Sequence, residues 1–209
     1  MVLFVVLSVC VGAKDYNQAP NLDVKVATGE LEPVEERLPE NPVIVEPFDK
    51  IGQYGGTVRT LTSSTGERAD FLTGMGSGEG LFRQTLDGEI VPNLVKDYDV
   101  TDDYKTYTLY LRKGLKWSDG APFTADDIIF QIEDVYGNEE LTTGQPGFLS
   151  PGGEMVKATK IDDYTLRLKF AVSYPGYPAQ VSLYYGWQNV SFNPKHYLKK
   201  WHIKYNTNA

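Results

Sequence analysis

The sequence predicts a mixed α/β (α+β) fold, and three observations carry that prediction. Tyr107, Leu109 and Leu111 alternate with Thr108, Tyr110 and Arg112, which is the period-two pattern of a half-buried strand. Twenty residues on, Ile128, Ile129, Ile132, Val135 and Tyr136 fall at helical spacing behind a capping signal. Hydrophobic residues make up 41% of the 209, enough for the chain to bury a substantial core. The net charge of −8 argues against a nucleic-acid surface, which needs clustered Lys and Arg to displace counterions.

Residues 1–13 read as a secretory signal peptide without its basic start: Met1 to Val11 is short and apolar, and Val11-Gly12-Ala13 supplies small residues for cleavage. Leu7-Ser8-Val9-Cys10 also has the outline of a lipoprotein box, in which Cys10 would carry a lipid anchor. Val9 departs from the small residue expected there, so simple cleavage fits better. A single cysteine excludes an intrachain disulfide and a cysteine zinc cage. Residues 14–47 carry acids and prolines with little periodicity and are expected to form an extended tether that touches the body at Val43-Ile44-Val45. The main body, 48–209, begins where Gly55-Gly56 opens a strand from Thr57 to Thr62 that ends in polar Ser63-Ser64. The glycines of GMGSGEG, Gly74 to Gly80, invite a phosphate-loop reading, but the loop has no Gly-Lys-Ser/Thr and contains Glu79.

The chain is organised around residues 104–137. After the strand, Leu115 to Trp117 forms a second short extended piece. Ser118-Asp119-Gly120 is a turn in which Gly120 is free to take a positive φ. Trp117 is read as packing beneath that turn, and Asp119 as holding it through backbone N–H groups. Thr124 and Asp127, three apart, form a capping box, and Asp126 with Asp127 suits the positive end of a helix. Gln131, Glu133 and Asp134 are expected on the solvent side of that helix, with Gly137 at its stop.

Asn138 to Gly153 reads as a long loop or one containing only a short helix, and loops of that length are often functional. Val156 to Ile161 and Tyr164 to Phe170, joined at Asp162-Asp163, form a hairpin with Tyr164, Leu166, Leu168 and Phe170 on one face. Tyr174 to Pro178 reads as turns, followed by an apolar stretch from Val181 to Trp187. His196 and His202 are six apart and lack neighbouring ligands, so no metal site is expected. Adjacent acids such as Asp102-Asp103 point apart rather than across a sugar, and there is no Gly-x-Ser-x-Gly elbow, so no catalytic residue is assigned.

LRKGLKWSDGAPFTADDIIF, residues 111–130, resembles the signature of the extracytoplasmic solute-binding proteins of family 5, which serve peptide and nickel ABC transporters. Four further segments resemble the family in the same order: YGGTVRTL, LFRQTLDGEIVPNLVKDYDV, VKATKIDDYTLRLKF and NPKHYLKK, with Val95 where the family usually has Ala. The resemblance implies a type II periplasmic-binding-protein-like fold of which residues 48–209 are an incomplete N-terminal lobe, because members are more than twice this length. It implies a monomer without cofactor, outside the cell membrane. Such a protein captures a peptide, or another small solute such as an oligosaccharide, and delivers it to a membrane permease. Family topology points to Thr62, Ser63 and Ser64, Phe148, and Tyr184, Tyr185 and Trp187 as ligand contacts. Two other readings stay open: an extracellular carbohydrate-active enzyme, and a single-lobe sensor or adhesion protein.

Overall fold

The computed structural model describes residues 16–57, 59, 79–142, 144–182 and 193–207. Cys10, the polar strand end Thr62, Ser63 and Ser64, and the cluster Tyr184, Tyr185 and Trp187 lie outside these residues, as does most of the expected strand Thr57 to Thr62.

The segment expected to be an extended tether contains two short helices, α1 (Pro20–Ala27) and α2 (Val34–Arg37). Pro20 starts α1 and Glu35 and Glu36 open α2, so the prolines and acids read as tether chemistry serve as helix-start signals. The contact with the body also falls elsewhere. Ile44 and Val45 are exposed, whereas the Glu40 N–H donates to the Lys113 carbonyl at 3.0 Å and Arg112 Nη1 donates to the Asn41 carbonyl at 2.5 Å. Lys116 Nζ reaches the Glu36 carbonyl at 2.9 Å. Backbone oxygens and cationic side chains, not an apolar strand, hold this segment down.

A small antiparallel hairpin, β1 (Phe82–Gln84) with β2 (Ile90–Pro92), precedes β3 (Val95–Val100) and β4 (Thr106–Leu111). Next comes α3 (Ala125–Ile129), which runs on as a π-helical stretch, Phe130–Tyr136. β5 (Lys157–Asp162), β6 (Thr165–Lys169), α4 (Tyr177–Ser182) and α5 (Lys195–Leu198) complete the order. β3, β4, β6 and β5 form one four-stranded antiparallel sheet in that spatial order. Its register sets Tyr107 opposite Leu168 and Leu109 opposite Leu166, so the apolar alternation of both strands lands on one face. The other face carries Thr108, Tyr110, Thr165 and Arg167.

The core lies between the apolar face and the helices. Leu109, Leu166, Leu168, Ala125 and Ile128 are fully buried, and Phe82 of β1 meets Tyr177 of α4 with ring centroids 6.5 Å apart. Tyr177 was expected in a turn, yet it begins a helix: Pro178 sits in the first turn, where its missing N–H costs nothing. The β5–β6 hairpin turns one residue later than expected, because Asp162 pairs with Thr165 across a bulge and its carboxylate accepts the Tyr164 N–H at 2.8 Å.

The π-helical winding overturns the expectation for the polar face of α3. Glu133 is exposed as expected, but Gln131 and Asp134 are buried, and they lie under residues 193–207 instead of facing water. Phe130, also buried, packs on His202 at 5.5 Å and Tyr205 at 6.3 Å. Gly137 ends the stretch by donating its N–H to the Ile132 carbonyl at 3.0 Å, and its φ of −78° is ordinary. Space, not a positive φ, selects glycine here, since a Cβ would stand 2.5 Å from the Glu133 carbonyl oxygen. Gly137→Ala is therefore expected to cost about 1–3 kcal/mol through forced backbone shifts, read as a lower urea midpoint at unchanged slope. An unchanged midpoint would mean that the turn relaxes freely.

Candidate functional site

The signature run 111–130 folds into a turn that seats a helix. Trp117 and Ala121 bracket it: the Trp117 N–H donates to the Ala121 carbonyl at 2.8 Å, and the Gly120 N–H returns to the Trp117 carbonyl at 2.9 Å. Gly120 takes φ +86°, which a side chain would strain. Trp117 lies half-buried against Phe123, with ring centroids 5.6 Å apart, and packs on the core rather than into a cleft. Asp119 Oδ1 accepts the Ala121 N–H at 3.1 Å and so holds the turn from within. At the helix start, Thr124 Oγ1 accepts the Asp126 N–H at 3.3 Å and Asp127 Oδ2 accepts the Thr124 N–H at 2.9 Å, a reciprocal cap.

What the sequence reading did not foresee is the second use of these residues. Asp119 Oδ2 lies 2.7 Å from His196 Nε2, and this contact together with the Ala121 N–H draws the carboxyl below its usual pKa range. Asp127 Oδ1 accepts the Lys195 N–H at 2.9 Å. Asp126 takes Lys160 Nζ at 2.5 Å and Lys195 Nζ at 3.2 Å; the Lys160 bond holds its pKa down against partial burial, with Lys195 adding to it. Further along, Asp134 accepts from Lys204 Nζ at 2.5 Å and from the Tyr205 hydroxyl at 2.6 Å. His202 Nδ1 accepts the Lys204 N–H at 3.1 Å, which leaves Nε2 to donate to the Asp134 carbonyl at 2.8 Å. The signal for this docking was present as charge. Residues 193–207 contain four lysines and no acid, and the helix they cover carries Asp126, Asp127, Glu133 and Asp134.

Phe148 is not offered to a solute. It is 6% exposed, belongs to the core cluster, and meets Tyr136 edge to face at 6.4 Å. Open cavities are also lined by the described residues, two of them beside the signature run. One, about 310 Å³, lies between Thr124, Asp126, Lys195 and His196; the other, about 630 Å³, lies beside Asn41, Asp97, Tyr110, Arg112 and Tyr164. Among the described residues no group of three or more His, Cys, Asp or Glu side chains is placed to hold a metal ion. No helix among them is long and apolar enough to cross a membrane.

The overall fold is shared with solute-binding proteins of known structure. The structure of an oligopeptide-binding protein OppA superposes with a TM-score of 0.77 at 37% identity, over 92% of this chain and 29% of that one. The periplasmic binding protein MelB of Agrobacterium fabrum C58, solved in complex with stachyose, superposes at 0.70 with 30% identity, over 94% of this chain and 32% of that one. In sequence, the periplasmic alpha-galactoside-binding protein of Rhizobium meliloti is 32% identical over 199 residues, and the periplasmic oligopeptide-binding protein OppA of Escherichia coli K12 is 32% identical over 115. The family described as bacterial extracellular solute-binding proteins, family 5, middle part, matches residues 89–208. The chain belongs to family 5 of the bacterial extracellular solute-binding proteins. It spans 28% of the length of the alpha-galactoside-binding relative and 20% of the E. coli one.

Proposed function

We propose that this chain is part of the substrate-binding component of an ABC importer, which captures oligopeptides outside the cell membrane and delivers them to a permease. The supporting observation is the family match, which runs through the signature turn and helix, together with the likeness to OppA over nearly the whole chain. On this reading the protein binds and releases without bond chemistry, and ligand shifts the population between open and closed forms. Residues 48–209 serve as one wall of the site, the protein works as a monomer, and its place is periplasmic or lipid-anchored at the outer face of the cell membrane.

Oligosaccharide is the second reading for the solute. The alpha-galactoside-binding relative aligns with 86% of this chain, against 46% for the E. coli oligopeptide-binding one, and a stachyose complex is among the similar structures. Uptake distinguishes the two: deleting the gene is expected to abolish import of either labelled oligopeptides or labelled stachyose. Unchanged import of both would overturn the transport reading.

For the contacts we propose Thr62, Ser63 and Ser64 with Tyr184, Tyr185 and Trp187. Support comes from the family likeness alone, in which segments leaving the core strands face the solute. Ser63→Ala and Trp187→Ala are each expected to weaken binding of the transported solute about tenfold, measured by titration calorimetry. If both variants bind as tightly as wild type, these residues are not the wall.

A further inference from the structure

Residues 193–207 hold four lysines and no acid in a chain of net charge −8, so the positive charge of the molecule is locally concentrated. Two of the four are spent inward: Lys195 pairs with Asp126 and Lys204 with Asp134. Lys199 and Lys200 form no ion pair among the described residues, and both are exposed. Beside them stand aromatic rings that the fold leaves in water. Tyr197 is 49% exposed and Trp201 56%, their ring centroids are 4.6 Å apart, and Lys200 Nζ lies 5.4 Å from the Tyr197 ring. Ile203, 36% exposed, follows two residues after Trp201.

We propose that this segment, with Tyr197, Lys199, Lys200, Trp201 and Ile203, is a peripheral docking surface for anionic phospholipid headgroups. Three features of the segment match such a surface. Unpaired ammonium groups are attracted to a negative bilayer from within a Debye length. Indole and phenol rings favour the headgroup level, where the ring is shielded from water and its polar edge stays wet. Lysine stems beside the rings bury their methylenes while the charged heads reach the phosphates. A soft headgroup layer can accommodate rings that stand half-exposed on a short helix and the turn after it, whereas an acidic protein face would have to offer a matching pocket for each. The rest of the sequence carries a net negative charge, so among its segments this one is favoured for approach to a negative surface. The inference does not rest on the transport reading.

The test is co-sedimentation of the full chain with large unilamellar vesicles of phosphatidylcholine alone, or with about a third phosphatidylglycerol, at low and at physiological salt. The chain is expected to bind only the anionic vesicles, to bind less as salt rises, and to show a blue-shifted tryptophan emission on binding. Lys199→Glu/Lys200→Glu is expected to reduce partitioning at least tenfold, at about fivefold per lysine removed, with an unchanged melting temperature because both ammonium groups are exposed. Trp201→Ser is expected to lower binding and to remove the emission shift. Equal binding to neutral and anionic vesicles, or a double variant that sediments like wild type, overturns the proposal. Absence of vesicle binding, with the same variants losing a crosslink to an acidic protein, also overturns it and reassigns the segment to a protein partner.

Discussion

Replacing Tyr107 with alanine is expected to cost roughly 3–5 kcal/mol, the range for removing a large aromatic side chain from a packed core, and to lower the melting temperature by roughly 6–20 degrees. The ring is fully buried at the centre of an aromatic cluster: it stands 5.2 Å from Tyr177, 6.0 Å from Phe170 and 6.3 Å from Tyr98, ring centre to ring centre. These partners come from α4, from the residue after β6 and from β3, so one cavity loosens three elements at once. The hydroxyl has a separate role. It donates to the Tyr174 carbonyl at 2.8 Å, and burial pushes its pKa up to about 12, so it stays a neutral donor across the working pH range. Tyr107→Phe keeps the packing and leaves that carbonyl short of a donor, for an expected loss of about 1–2 kcal/mol. Chemical denaturation of the two variants partitions packing from hydrogen bond. If the two losses are equal, the ring is not the keystone of the cluster.

How much of this was legible beforehand depends on where the information sits. The alternation in β4 and β6 and the Thr124–Asp127 cap are local patterns, and local patterns survive folding: Leu109, Leu166 and Leu168 are buried, and the cap closes from both sides. The same local logic failed for Gln131 and Asp134, because helical spacing of 3.6 assigns them to solvent. A wider π turn rotates them, and a segment some seventy residues downstream supplies their partners, Asn193 for Gln131 and Lys204 for Asp134. Phe148 failed for a related reason. A long loop suggested a functional surface, while the loop folds its Phe148-Leu149 pair inward and closes with a Val156 N–H to Leu149 carbonyl bond of 2.7 Å. In the segment before the body, prolines and acids suit an extended chain and a helix start equally, and here they start helices. The expected solute contacts outside the described residues rest on the family likeness alone.

Asp134→Ala is expected to destabilise the chain by about 2–3 kcal/mol at neutral pH, the scale of losing hydrogen bonds to a charged group. The carboxylate itself is buried, with a side-chain exposure of 6%, while its partner Lys204 remains 58% exposed. Lys204 and the Tyr205 hydroxyl can therefore return to water in the variant, which keeps the loss below that of stranding a buried charge. The pH dependence separates this account from simple loss of packing. Burial works against the charged form of Asp134, but the Lys204 and Tyr205 bonds outweigh it and the carboxyl pKa in the folded chain lies below its ordinary value. A group lowered on folding stabilises above its unfolded pKa, about 3.9 for Asp, and loses that contribution as pH falls through the folded value. Lys204 is shifted the other way, raised mainly by its bond to Asp134, so its contribution holds below the unfolded lysine pKa, about 10.4, and is lost as pH rises through the folded value. The stability difference between wild type and variant should thus be flat from about pH 5 to 9, shrink in acid, and shrink again in strong alkali. Urea titrations across that range measure it directly. A difference that persists undiminished at pH 2 would assign the cost to the missing side-chain volume and not to the charge that fastens residues 193–207 onto the signature helix.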